Sequence, residues 1–172
     1  MTGSNKGIGF GIVKELCAKF DGNVYLTSRN EERGLSAVNE LKKLGLHANY
    51  HTLDIDEEAS VVRFRDYLKV KYGGLDVLVN NAAIAFKSNS AESLGKQAAL
   101  TIETNFFNTC RACNILFPIL RPHARVVNLS SAAGHLLMIT NQEKVGVELR
   151  NTLSANSLTE EELKQLMRDY VE

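Results

Sequence analysis

The chain has 172 residues, 44% hydrophobic and 23% charged, with 20 basic and 20 acidic side chains and no net charge. That is room for one ordinary domain with a sizeable core, and the charge balance argues against nucleic acid as the main partner. No apolar run is long enough to span a bilayer. The amino terminus opens directly on a Gly-rich loop, with no signal peptide in view. Three cysteines, an odd number, fit a reduced, cytoplasmic setting. Cys110 and Cys113 form a lone C-x-x-C in a helical stretch and read as small helix residues, not as a redox or zinc site.

Helical and strand patterns alternate along the chain, which argues for an α/β fold with a parallel sheet. After the loop at 2–9, positions 10–20 carry Ile12, Val13 and Leu16 at helical spacing. Asp21-Gly22 makes a turn and 24–27 a short buried strand. Positions 31–44 place Leu35, Val38, Leu41 and Leu44 on one helix face, and Gly45 stands where a left-handed residue ends the helix. A third strand is expected at 48–53 and a helix at 57–72. The near-continuous apolar run 75–79 is what a sheet buried on both faces requires. A long helix is expected from about 99 to 116, ending near Pro118 and Pro122, and a strand at 125–129. Positions 136–157 show no clear period and read as irregular. Thr159 and Glu162 form a capping box with Leu158 and Leu163 as its staple, starting an amphipathic helix within 157–172.

The loop Thr2-Gly3-Ser4-Asn5-Lys6-Gly7-Ile8-Gly9 carries the first chemistry. Glycines there let the backbone turn sharply and approach a pyrophosphate, which the next helix meets with its free N–H groups and positive end. No Gly-Lys-Ser/Thr follows at the spacing of a Walker loop. About twenty residues beyond such a loop, an acid normally binds the adenosine ribose 2′-OH and selects NAD. Here Arg29 occupies that place. A guanidinium cannot play the acid's part, but it pairs with a 2′-phosphate through bidentate donors. Lys6 and Arg33 either add to that charge or are solvated surface cations. Asp54 either accepts from the adenine amino group or caps the next helix, as Asp56 could.

Taken together, Thr-Gly-x-x-x-Gly-x-Gly, Asn80-Asn81-Ala82, Asn105 and Asn128-Leu129-Ser130-Ser131 resemble the ordered motifs of the short-chain dehydrogenase/reductase family. The strings Asn5–Gly9, Leu53-Asp54-Ile55-Asp56, Tyr72–Ala82 and Thr104-Asn105-Phe106-Phe107 are similar to its NADPH-dependent carbonyl reductase branch. The helix in 157–172 resembles an insertion of monomeric members. The resemblance implies a doubly wound parallel sheet of Rossmann type and hydride transfer from NADPH to ketones, aldehydes or quinones. The substrate would be a small-molecule carbonyl, with no nucleic acid or membrane partner, and the complete protein would be monomeric and cytoplasmic. It implies that Gly3, Gly7, Ile8 and Gly9 line the pyrophosphate, with Asn5 among the cofactor contacts. Lys6 and Arg29 would hold the 2′-phosphate, Asp54 and Ile55 would bracket adenine, and Asn81 and Ala82 would lie along the cofactor. Asn105 would anchor a proton-supplying water chain. Ser131 would hydrogen-bond the substrate carbonyl, where a fixed hydroxyl stabilises charge developing on oxygen. Ser130 is the rival, because strand alternation points the two apart.

Three departures from the family pattern stand out. Ala83 replaces the glycine that usually follows Asn-Asn-Ala, which a methyl group permits unless the position needs a positive φ or close cofactor approach. The family's proton-donating Tyr, with a Lys four residues later, has no counterpart after Ser131. Tyr67 and Lys71 have that spacing but stand far upstream, where a solvated helix face explains them. At the other end, Met1 directly precedes the Gly loop, so the sheet is expected to be incomplete: its first strand, central in such sheets, and its C-terminal strands are absent. The whole of 1–172 then reads as one partial dinucleotide-binding domain. A missing central strand removes burial on the order of 10 kcal/mol, comparable to a domain's whole net stability. Poor folding of the isolated chain is expected, and a catalytically inactive cofactor-binding or regulatory fragment is the alternative to an enzyme.

Overall fold

In the computed structural model, residues 1–139 and 142–171 are described. The readings at 136–157 and 157–172 include positions 140, 141 and 172, which lie outside the described residues. Helix α1 (Gly7–Lys19) leads to strand β1 (Tyr25–Ser28), α2 (Glu31–Lys43) to β2 (Asn49–Thr52), and α3 (Glu58–Tyr72) to β3 (Leu75–Asn80). Then α4 (Leu94–Ile102), a π-helical stretch (Glu103–Asn108) and α5 (Thr109–Leu116) run on without a break towards β4 (Leu120–Asn128). Two further helices follow, α6 (Lys144–Ser154) and α7 (Glu160–Asp169). The strands form two parallel pairs, β1 with β2 and β3 with β4.

The helices lie on both faces, as the doubly wound reading requires. Alternation along β1 demonstrates it: Val24 and Leu26 pack with Val13, Ala37 and Leu41 of α1 and α2. Tyr25, between them, packs with Phe64 and Leu68 of α3 in the cluster that also holds Leu116 of α5. Leu26, Leu41, Val13, Val61 and Leu116 are wholly buried, each contributing about 1.5–3 kcal/mol. Residues 1–4 run between the two strand pairs. The Met1 nitrogen donates to Tyr25 O, Ser4 N to Thr27 O, and Thr2 N to Val79 O, all within 3.0 Å. Beyond Met1 and Thr2, between β1 and β3, lies a trough of about 360 Å³ lined by Tyr25, Phe64, Leu68, Leu75 and Leu78.

Local signals explain most boundaries. Gly45 and Gly73 both take the left-handed conformation at helix ends (φ 75° and 74°). Thr159 and Glu162 make the capping box reciprocally. The strand expected at 125–129 runs from Leu120 to Asn128 and contains Pro122, and two further sequence readings need correction. The long helix begins at Leu94, capped by Ser93, and contains a π turn. The stretch 136–157 is not irregular throughout, because α6 occupies Lys144–Ser154. Its inward stripe is Gly146, Leu149, Arg150 and Leu153, while Val145 and Val147 face out (72% and 40% exposed). An apolar count there scores the wrong residues as core and hides the period. On α7, Leu163, Leu166 and Met167 are half-buried, whereas Tyr170 beyond it is exposed.

Candidate cofactor and active site

Parallel strands deliver their following loops to one edge of the sheet. Arg29 follows β1, Asp54 follows β2, Asn81 and Ala82 follow β3, and Ser131 comes three residues after β4. The register pairs Asn80 with Asn128, and Leu129 N donates to Asn80 O at 2.9 Å, so the loops after β3 and β4 leave side by side. This is the carboxyl edge, where open α/β sheets bind ligands.

The Gly loop is built for close approach. Gly3 and Gly7 have φ of 58° and 59°, where a side chain would be strained. A Cβ on Gly3 would sit 2.8 Å from Ala82 Cα, and one on Gly9 2.6 Å from Asn81 Nδ2 and 2.9 Å from Gly3 O. Gly7, by contrast, faces open space at the start of α1, which has neither a side-chain cap nor an acid in its first turn. Its free N–H groups and positive end are therefore available to an anion. Ile8 is 73% exposed beside it, and Asn5 is half-buried and Lys6 exposed. Asn81 holds this loop to the sheet: its Nδ2 donates to Thr2 O (3.0 Å) and Gly3 O (2.8 Å). Thr2 Oγ1 accepts from Asn81 N and Ala82 N, both at 3.0 Å.

After β1, Arg29 is exposed and, like Lys6 and Arg33, forms no ion pair among the described residues. Asn30 caps α2 by accepting from Arg33 N (2.8 Å). Asp54 is half-buried, and its Oδ1 accepts from Asp56 N at 3.1 Å. It does not cap α3, whose N-cap is Glu57. Ile55 is buried in the core (6% exposed), so its side chain points away from the loop surface and only its backbone can border adenine.

Asn105 sits in the π stretch. Its Oδ1 accepts from Ile84 N and its Nδ2 donates to Ile84 O, both at 2.8 Å. That pairing ties the segment after Ala82 to the long helix. Ser131 Oγ accepts from Ala133 N (3.2 Å) and caps a 3₁₀ turn; its own proton remains available to donate. Ala83 is exposed and has no positive φ, so its methyl group is accommodated. The cysteines are free thiols. Burial first, then the charge of Glu160, raises Cys110, and burial raises Cys113. No cluster of metal-binding side chains exists among the described residues, and no helix among them is long and apolar enough to cross a membrane.

Tyr67 and Lys71 lie elsewhere, at the last turns of α3, which lead to the amino end of β3. The pair is not a simple solvated face. Lys71 Nζ donates to Tyr67 Oη at 2.8 Å, and Tyr25 Oη lies 2.8 Å from Tyr67 Oη and 2.9 Å from Tyr72 Oη. The Lys71 bond, then the Tyr25 bond, lower the Tyr67 pKa. Sequence reasoning missed Asn108 and Arg111, which hold the 54–56 segment. Neither belongs to a motif or stands near that segment in the chain.

Parallel strand pairs with helices on both faces, which present a glycine loop, Arg29 after β1 and the Ser131 hydroxyl after β4, make a Rossmann-type α/β fold. The short chain dehydrogenase family model matches residues 1–142, and the chain belongs to that family. It is 46% identical to the NADPH carbonyl reductase 1 of Bos taurus, covering 100% of this chain and 61% of that protein. The chain thus spans 61% of the length of such curated relatives. Among solved structures it is similar to menthone neomenthol reductase from Mentha piperita (TM-score 0.84, 30% identity, covering 99% of this chain and 71% of the other). It is also similar to salutaridine reductase from Papaver somniferum (TM-score 0.85, 26% identity, 99% and 68% covered).

Proposed function

We propose that this chain is the cofactor-binding part of an NADPH-dependent carbonyl reductase that converts ketones, aldehydes or quinones to alcohols. The observation that carries the reading is Arg29, exposed just after β1 and without an ionic partner among the described residues, where an NAD-selecting domain places an acid. The names of the relatives support the same cofactor. In this reading Gly3, Asn5, Gly7, Ile8 and Gly9 border the pyrophosphate, and the start of α1 supplies N–H groups to it. Arg29 and Lys6 hold the 2′-phosphate, Asp54 and the Ile55 backbone border adenine, and Asn81 and Ala82 lie along the rest. Bound NADPH supplies a hydride. Ser131 holds the carbonyl oxygen with its free hydroxyl proton, stabilising the negative charge that develops there. Asn105 keeps the segment after Ala82 in register with the long helix and stands where it can anchor water.

Titration with NADPH and NADH, followed by nicotinamide fluorescence, tests this. Tighter binding of NADPH is expected, and Arg29→Asp should reverse the preference. A preference for NADH in the unaltered chain refutes the reading.

A further inference from the structure

The 54–56 segment leaves β2 and turns into α3, and it is held more heavily than a connector needs. Asp54 N donates to Ser60 Oγ at 3.0 Å, and Asp54 Oδ1 accepts from Asp56 N. From the other side, one guanidinium nitrogen of Arg111, Nη2, donates to both Ile55 O (3.1 Å) and Asp56 O (2.9 Å). Asn108 Nδ2 donates to the Asp56 carboxylate at 2.8 Å. Asn108 is 3% exposed. Its Oδ1 and Arg111 Nε are both buried without a partner, a costly arrangement that an aliphatic pair would avoid. Two polar side chains kept at that cost, both aimed at one loop, indicate that the position of the loop matters.

We propose that Arg111 and Asn108 are positioning residues that set the base selectivity of the cofactor site. They touch no part of the cofactor themselves. They clamp the backbone of 55–56 so that the Asp54 carboxylate, fixed in turn by Asp56 N, faces the amino group of adenine and not the carbonyl oxygen of a hypoxanthine base. This rests on the NADPH reading above. Arg111 is suited to the task because a guanidinium can bridge two carbonyls while remaining charged. Asn108 restrains the Asp56 carboxylate by donating to it at 2.8 Å.

The test compares NADPH with its hypoxanthine counterpart, in which a carbonyl oxygen replaces the adenine amino group. Each is titrated into the intact chain and into Arg111→Met, Arg111→Lys and Asn108→Ala. The unaltered chain should favour NADPH by about tenfold, the worth of one charge-assisted hydrogen bond. Arg111→Met should cut the preference to about twofold or less, and Arg111→Lys, which can reach one carbonyl, should restore part of it. Asn108→Ala removes a single bond and keeps the question open to measurement if Arg111→Met does not fold. Equal weakening of both nucleotides, with their ratio unchanged in Arg111→Met and Asn108→Ala, overturns the proposal and leaves the NADPH reading standing. An unaltered chain that binds neither nucleotide overturns both.

Discussion

Replacing Gly9 by alanine should destabilise the chain for lack of space. The added Cβ would lie 2.6 Å from Asn81 Nδ2, 2.9 Å from Gly3 O and 2.9 Å from Ser4 Cα. The amide could swing away, but only by giving up its bonds to Thr2 O and Gly3 O, at about 1 kcal/mol each. Gly3 O and Ser4 Cα are backbone and cannot swing, so overpacking adds about 1–3 kcal/mol. Against this stands the helical preference of alanine over glycine, about 1 kcal/mol. The net loss is about 2–4 kcal/mol, a large share of a typical domain's stability. Gly11, two residues on in the same helix, meets nothing within 4 Å, so Gly11→Ala should gain about 0.5–1 kcal/mol. Urea unfolding at one pH measures both: the Gly9→Ala midpoint should fall by roughly 1–2 M and that of Gly11→Ala should rise. A Gly9→Ala midpoint level with that of Gly11→Ala would refute the argument that Gly9 is glycine for lack of space.

Other outcomes can be checked separately. Asn105→Ala leaves Ile84 N and O without their partners; a loss of about 2 kcal/mol and faster amide exchange at Ile84 should appear, and unchanged exchange would contradict the pairing. Thr159→Ala removes the side-chain half of the capping box, the bond from Glu162 N to Thr159 Oγ1, and keeps the backbone bond to Glu162 Oε2, so α7 should lose about 1 kcal/mol, read as reduced protection of the Glu162 amide. Tyr25 is held well above the ordinary tyrosine pKa, chiefly by burial and then by its bonds to Tyr67 and Tyr72. The fold therefore retains a proton that the unfolded chain releases above about pH 10. Its stabilisation is complete below that pH and is lost as pH rises towards the folded value. Urea midpoints should drop as pH rises above about 10, less steeply in Tyr25→Phe, and equal slopes in the two proteins would sink this account.

The strands and the Gly loop were legible because their signals are local. The apolar run at 75–79 marks a strand whose last residues are buried, and Gly45 and the Thr159–Glu162 box mark helix ends by local backbone chemistry. The edge at which Arg29, Asp54, Asn81 and Ser131 gather was legible for the same reason, since each follows a strand and the strands are parallel. What could not be read depends on partners distant in sequence. Arg111 finds Ile55 and Asp56 across 55 residues or more, and nothing around either end advertises the contact. Ile55 looked available to a ligand, yet the packing of α3 and α5 takes its side chain inward. Helix α6 was hidden because its buried stripe starts on a glycine, which no hydrophobicity pattern counts.

The π stretch Glu103–Asn108 amounts to one residue more than an α-helical turn would hold. On an α-helix each residue advances about 100°, so an extra one shifts the facing of everything after it by that angle. Asn105, inside the stretch, is thereby directed to Ile84 beyond β3, while Asn108 and Arg111, at and past its end, are directed to the loop beyond β2. A single helix thus serves two loops, those that follow β3 and β2. Deleting one residue of 103–108 other than Asn105 or Asn108 would leave every side chain of both contacts in the sequence, and the helix intact, yet turn one set away from its loop.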